Sequence, residues 1–400
     1  MTDDRTARLA RLQHEHLWSP PSTPVLVSGE GSCWTDGRGT TRIDAVAANG
    51  ALLHGHRHPR IDEALQHQIR RLAAPAPAGT ADAASVELAH RLANLAPWGL
   101  QRVRFTPDGA SARAAAIAIA QEVQRARGHT RRTRVAVLGH PADAPVDALH
   151  LPAPVTPGGD EEDVARDAAL QALDQHGEEL AALVVEPLVQ ADLTMHGPHY
   201  LRPILERAEA HGIVRIADEQ AAGPGRTGTL FAMEQVGTPP DLLCLGHALA
   251  AGLLPIGAVL GTESIRADVQ LPPAPGAYPL AAAVALASLD VFEEEGLLEQ
   301  IADAARHLTA LTASWSAREG ITRVRQTGLV LAADLGPSGG GHWPEVLAMG
   351  QRVATRARDH GVLVRHRGDT LAIHPPLAIP PAQLTTVVRT VAAAIASELP

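Results

Sequence analysis

Two titratable residues, Asp218 and His247, lie 29 positions apart in "IADEQAAGPGRTGTLFAMEQVGTPPDLLCLGHALAAGLLPIGAV" (residues 216–259). Asp218 follows the β-branched run "IVRIA" and so falls at the end of a strand, where open α/β sheets gather their ligands. An unperturbed imidazole changes charge near neutral pH, which would suit His247 to general acid or base work. Amine chemistry is excluded by composition: all 34 residues counted as Lys+Arg are arginine, so the sequence contains no lysine. An imidazole cannot replace a primary amine in forming a Schiff base. Two readings of the missing lysine stay open. Asn occurs only at Asn49 and Asn94, with 2 Tyr and 3 Phe, the composition of a very GC-rich coding sequence. Alternatively, surface amines are absent because the protein handles a reactive aldehyde.

The elements that must position these residues alternate along the chain. Short apolar runs at "RVRF", "RVAVL", "ALVVE", "IVRIA", "DLLCL" and "GAVL" are separated by helical stretches, the pattern of a largely parallel sheet covered on both faces. Ile61, Leu65, Ile69 and Leu72 recur at helical spacing, as do Val86, Leu88, Leu92 and Leu95. The first 45 residues carry the turn signals of a short meander. After a helix beginning near Pro279 the pattern becomes α+β: a strand pair in "TRVRQTGLVLAADL", a helix closed by Gly361, a hairpin in "VLVRHRGDTLAIHPPL", and a last helix from Pro380 to Leu399.

Composition narrows the class of function. A net charge of −10 with dispersed arginines argues against a nucleic-acid surface. No run of apolar residues is long enough to span a membrane, and the charged start lacks the apolar core of a signal peptide. A soluble, cytoplasmic protein is expected. His54, His56 and His58 alternate in a Gly-rich turn, where a structural role is preferred to metal binding, and no metal is expected. Cys33 and Cys244 are too few for a disulfide framework and read as small strand thiols.

Taken in order, "DE", "GRTG", "PDLLCLG" and "LPIGAV" resemble the cofactor-holding core of the class III (omega-type) aminotransferases, pyridoxal phosphate (PLP) enzymes of fold type I. The resemblance spans nearly the whole chain. It implies an α/β fold of the PLP-transferase type: a large domain, residues 46–285, with a mostly parallel sheet covered by helices, and a smaller α+β domain formed by residues 1–45 and 286–400. It also implies a dimer related by a two-fold axis, as a homodimer or as a heterodimer with an active aminotransferase.

In the family the aspartate at position 218 pairs with the pyridine nitrogen, and a lysine at position 247 forms the Schiff base. Here His247 stands at that lysine, so the chain resembles a divergent member without covalent PLP binding. Asp108 in "TPDGASARAAA" replaces the serine of the phosphate turn, where a carboxylate caps the helix and repels a phosphate. Gly139 and His140 fall at the ring-covering aromatic and its following histidine, and Ala274 at the cross-subunit threonine. Glu186 keeps a Glu-Pro strand end, Gln220 replaces an apolar residue behind the ring, and Arg365 falls where relatives meet a substrate carboxylate.

These departures lead to the expectation of an enzyme of specialised metabolism that uses no cofactor. His247, with Asp218, Asp108 or His140, would carry out cyclisation, dehydration or isomerisation of a small carbonyl compound, and Arg365, Gln220 and Glu186 would bind it. The alternatives are a pyridoxamine-phosphate enzyme with His247 as base, which the altered phosphate contacts disfavour, and a non-catalytic paralogue that partners an active aminotransferase.

Overall fold

A computed structural model describes residues 8–9, 12–13, 24–77, 79–138, 144–154, 159–269, 276–337, 341 and 343–399, and for His247 the backbone only. The chain divides into two compact units, one of Met1–His58 with Asp303–Pro400, the other of Pro59–Ala302.

The second unit is built on a seven-stranded sheet. Its strands are β4 (Arg102–Thr106), β5 (Arg134–Leu138), β6 (Leu149–His150), β7 (Leu180–Val185), β8 (Val214–Asp218), β9 (Leu242–Leu245) and β10 (Gly257–Gly261), in the order β4-β10-β9-β8-β7-β5-β6. The expectation of a largely parallel sheet holds for β9-β8-β7-β5-β6; β10 runs antiparallel to both its neighbours. Its helices include α1 (Pro59–Arg71), α2 (Ala83–Leu95), α3 (Gly109–Ala126), α4 (Asp160–His176), α5 (Pro198–Ala210) and α6 (Pro279–Glu294).

Successive strand residues feed opposite layers, as a pleat with a period of two requires. Leu183, Val185, Ala217, Leu243 and Leu245 enter one apolar cluster, whereas Ala182, Val184, Ile216, Leu242 and Cys244 enter another with α3. Both faces are therefore dry, and every residue of β7 is buried. On α3 the buried stripe Ala112, Ala116 and Ala120 repeats every fourth residue. These small side chains let the helix axis lie close to the sheet. The helical stripes read from sequence are only partly used: Ile61, Leu88 and Leu92 are buried, but Ile69, Leu72 and Val86 are exposed.

The first unit opens with an antiparallel meander of β1 (Leu26–Glu30), β2 (Cys33–Asp36) and β3 (Thr41–Asp44). The strand pair expected further on is β11 (Ile321–Thr327) with β12 (Val330–Leu335). The segment read as one hairpin divides between two sheets. Its first part, β13 (Val362–Leu363), pairs in parallel with β3, and only β14 (Arg365–Arg367) and β15 (Thr370–Ile373) form the hairpin. The remaining helices are α7 (Leu297–Thr312), which crosses the boundary between the units, α8 (Met349–Asp359) and α9 (Pro381–Glu398). Both cysteines lie on strands and are free.

Two local constraints hold the strand ends of the larger unit in place. Gly257, at the start of β10, pairs with Thr106, and a methyl group there would collide with the main-chain carbonyl of Asp108. Beyond β8, the fully buried Glu219 accepts hydrogen bonds from the N–H groups of Ala232 and Met233 at 2.7 and 2.9 Å. Burial pushes its pKa up to about 7, against the opposing pull of those hydrogen bonds.

Gly257→Ala should therefore destabilise the protein by about 2 kcal/mol or more, measured as a lowered midpoint in denaturant; an unchanged midpoint would show that the β4–α3 turn yields freely. Glu219 retains its proton in the fold at pH values where the unfolded chain has lost it. Its contribution to stability should therefore fall as pH rises from about 4.5 to about 7, by roughly 3 kcal/mol in all. Denaturation series at several pH values should show a flatter profile for Glu219→Gln than for the parent across that window.

Candidate active site

The strand ends of β7 and β8 bring two carboxylates together. Asp218 closes β8 with its side chain 2% exposed, and Glu186, immediately after β7, has its side chain 9% exposed. Between them lies the guanidinium of Arg113, from the second turn of α3. Its Nη1 is 3.2 Å from Asp218 Oδ2 and 3.6 Å from Glu186 Oε1. Gln220 completes the group, donating from its main-chain N–H to Asp218 Oδ1 at 3.2 Å and from Nε2 to Oδ2 at 3.0 Å. Glu186 Oε2 accepts the N–H of Gln190 at 3.1 Å.

Burial dominates the electrostatics of Asp218 and raises its pKa, while Arg113 and the two Gln220 hydrogen bonds pull it back down. Cys244, opposite Asp218 in the β8–β9 register, has its thiol pushed well up by burial first and by the Asp218 charge second, which leaves it inert as a nucleophile.

Gln220 is wedged between two glycines. A methyl at Gly109 would collide with its Oε1, and one at Gly246 would lie 3.2 Å from its Cγ. The glycine at the start of α3 thus makes room for a side chain of the β8 loop. Asp108 is the N-cap of α3, exposed, and its Oδ1 accepts the Ser111 N–H at 2.7 Å. That main-chain hydrogen bond is the first cause of its lowered pKa. The carboxylate does cap the helix, as read from the sequence, and it is engaged there rather than with Asp218. His247 begins a 3-10 turn, His247–Ala250, directly after β9 and Gly246.

Asp218, Glu186 and Gln220 therefore converge, with Asp108 at the adjacent helix start. Arg365 lies on β14 in the first unit, where burial, then the neighbouring Arg367, lowers its pKa. His140, Gly139 and Ala274 fall outside the described residues. Among the described residues, no group of three or more His, Cys, Asp or Glu is placed to hold a metal ion, and no helix is long and apolar enough to cross a membrane.

Sequence reading missed Arg113. Its signal is weak: one cation among alanines in the second turn after the Asp108 helix cap.

The residues present fit a PLP-type cofactor in part. Asp218 is a carboxylate of the kind that pairs with a pyridinium nitrogen, but its Oδ2 already accepts from Arg113 and Gln220. Nor does the sequence offer a lysine to the aldehyde.

Comparison with known proteins nevertheless settles the family. The model of the family described as "Aminotransferase class-III" matches residues 18–141 and 135–395. The adenosylmethionine-8-amino-7-oxononanoate aminotransferase of Nitratidesulfovibrio vulgaris is 36% identical, covering 98% of this chain and 82% of its own length. The enzyme of that name from Geobacter sulfurreducens is 32% identical over 95% of each chain. Among solved structures, an (S)-enantioselective omega-transaminase from Thermomicrobium roseum superposes with a TM-score of 0.92 at 27% identity, covering 98% of this chain and 99% of that one.

These findings overturn two expectations. The cofactor-free acid/base enzyme, and with it the pyridoxamine-phosphate and non-catalytic alternatives, is contradicted by the full-length relatives, which are named as aminotransferases and omega-transaminases. The expectation of no cofactor is overturned by the match to the class III aminotransferases, whose members are PLP-dependent. A few site residues depart from the family while the agreement extends along the entire chain, which belongs to the class III aminotransferase family.

Proposed function

We propose that the protein transfers an amino group between a small amine and a small carbonyl compound, with PLP as cofactor. The observation that carries this reading is the match along 98% of the chain to a relative named as an aminotransferase. Within the family the chain is a divergent member: without a lysine, the cofactor would be held by non-covalent contacts alone.

The chain's own groups have distinct parts in this reading. Asp218 offers a buried negative charge to a cationic ring nitrogen. His247, at the start of the turn after β9, supplies an imidazole for acid or base work. The homodimer, the cytoplasmic location and the division into residues 46–285 and the remainder belong to the same reading.

The test incubates purified protein with PLP, amine donors (alanine, a diamine, S-adenosylmethionine) and carbonyl acceptors (pyruvate, 8-amino-7-oxononanoate), and follows the aminated product by mass spectrometry. At least one pair should turn over about 100-fold faster than with PLP alone in solution, and His247→Ala should lose about tenfold or more. Rates equal to those of free PLP for every pair would overturn the reading.

A further inference from the structure

Three ionic groups meet at the ends of β7, β8 and α3. Arg113 is 20% exposed at its side chain and faces Asp218 and Glu186, which are 2% and 9% exposed. A carboxylate as buried as Asp218 is costly to leave without a cation. In this arrangement the cation comes from the chain itself.

A pyridoxal-type ring brings its own cation to such a carboxylate, the protonated ring nitrogen. Two cations at hydrogen-bonding distance from one carboxylate oxygen repel each other strongly in a site screened from water. We propose that Arg113 competes with the ring nitrogen of the cofactor for Asp218, and so sets how tightly the site holds the ring. The proposal rests on the PLP reading given above.

The geometry supplies an exit for the guanidinium. Arg113 has a long stem that is partly open to solvent, and Glu186 Oε1 already lies 3.6 Å from Nη1. A small movement from Asp218 toward Glu186 frees Oδ2 while keeping the guanidinium paired. Gln220 must move as well, because its Nε2 donates to the same oxygen, and its packing against Gly109 and Gly246 opposes that movement. The competition is thus a feature of this chain's own side chains rather than of the sheet that carries them.

Equilibrium dialysis tests the proposal without reference to turnover. Dissociation constants are measured for PLP and for its carbocyclic analogue, in which C–H replaces the ring nitrogen. In the parent protein the two should agree within about threefold, since Arg113 holds the carboxylate. In Arg113→Gln, which removes the charge and keeps a hydrogen-bond donor, PLP should bind about tenfold more tightly while the analogue changes little.

A parent protein that already prefers PLP about tenfold over the analogue overturns the proposal. That arm needs no variant and stands even if Arg113→Gln fails to fold. An unchanged preference in a folded Arg113→Gln also overturns it, leaving the aminotransferase reading intact. If neither protein binds either compound, both fall together.

Discussion

A buried carboxylate needs a cation, and much of the larger unit is arranged around how Asp218 obtains one. The Arg113 guanidinium reaches it because α3 lies close against the sheet, and α3 lies close because Ala112, Ala116 and Ala120 present only methyl groups to it. The turn into α3 passes over β10 because Gly257 has no side chain to meet Asp108. Gln220 reaches the same carboxylate through the gap left by Gly109 and Gly246. A pair of charges at the strand ends thus depends on a set of small residues several positions away, each of which contributes space rather than contact.

The agreement with the class III aminotransferases and the peculiarity of this site have different physical origins. The fold is held by the two apolar layers on either face of the seven-stranded sheet, and a core tolerates substitution as long as volume and pattern persist. A likeness of 36% over 98% of the chain is ample for that. The site depends on a handful of side chains at the strand ends, where one change alters chemistry without disturbing the layers. Because the two origins are separate, a chain can belong to an aminotransferase family while it carries no lysine and places an arginine on its strand-end aspartate.

The strands β4, β5 and β7 to β10 are legible because their apolar runs are short and bounded by turn signals, and the helices α1 and α2 because their apolar residues recur at helical spacing; the two-residue β6 is too short to leave such a run. The reversed direction of β10 was not legible: an apolar run buried on both faces has the same composition whichever way it points. The segment 362–377 reads as one hairpin because its alternation is continuous, yet β13 joins β3 in another sheet. Pairing partners distant in sequence leave no local mark.

For the site, the sequence by itself determined which functional groups exist: a carboxylate at the end of β8, a histidine after β9, a helix-capping aspartate at position 108 and no amine side chain. It also carried the family, because that likeness is spread along the chain. Only the tertiary structure decided which group Asp218 meets. Arg113 is 105 residues away in sequence, and its role follows from the packing of α3 on the sheet, not from its neighbours along the chain. A charge acquires its partner through space, so the state of Asp218 could be read only once the fold had brought α3, β7 and β8 to one point.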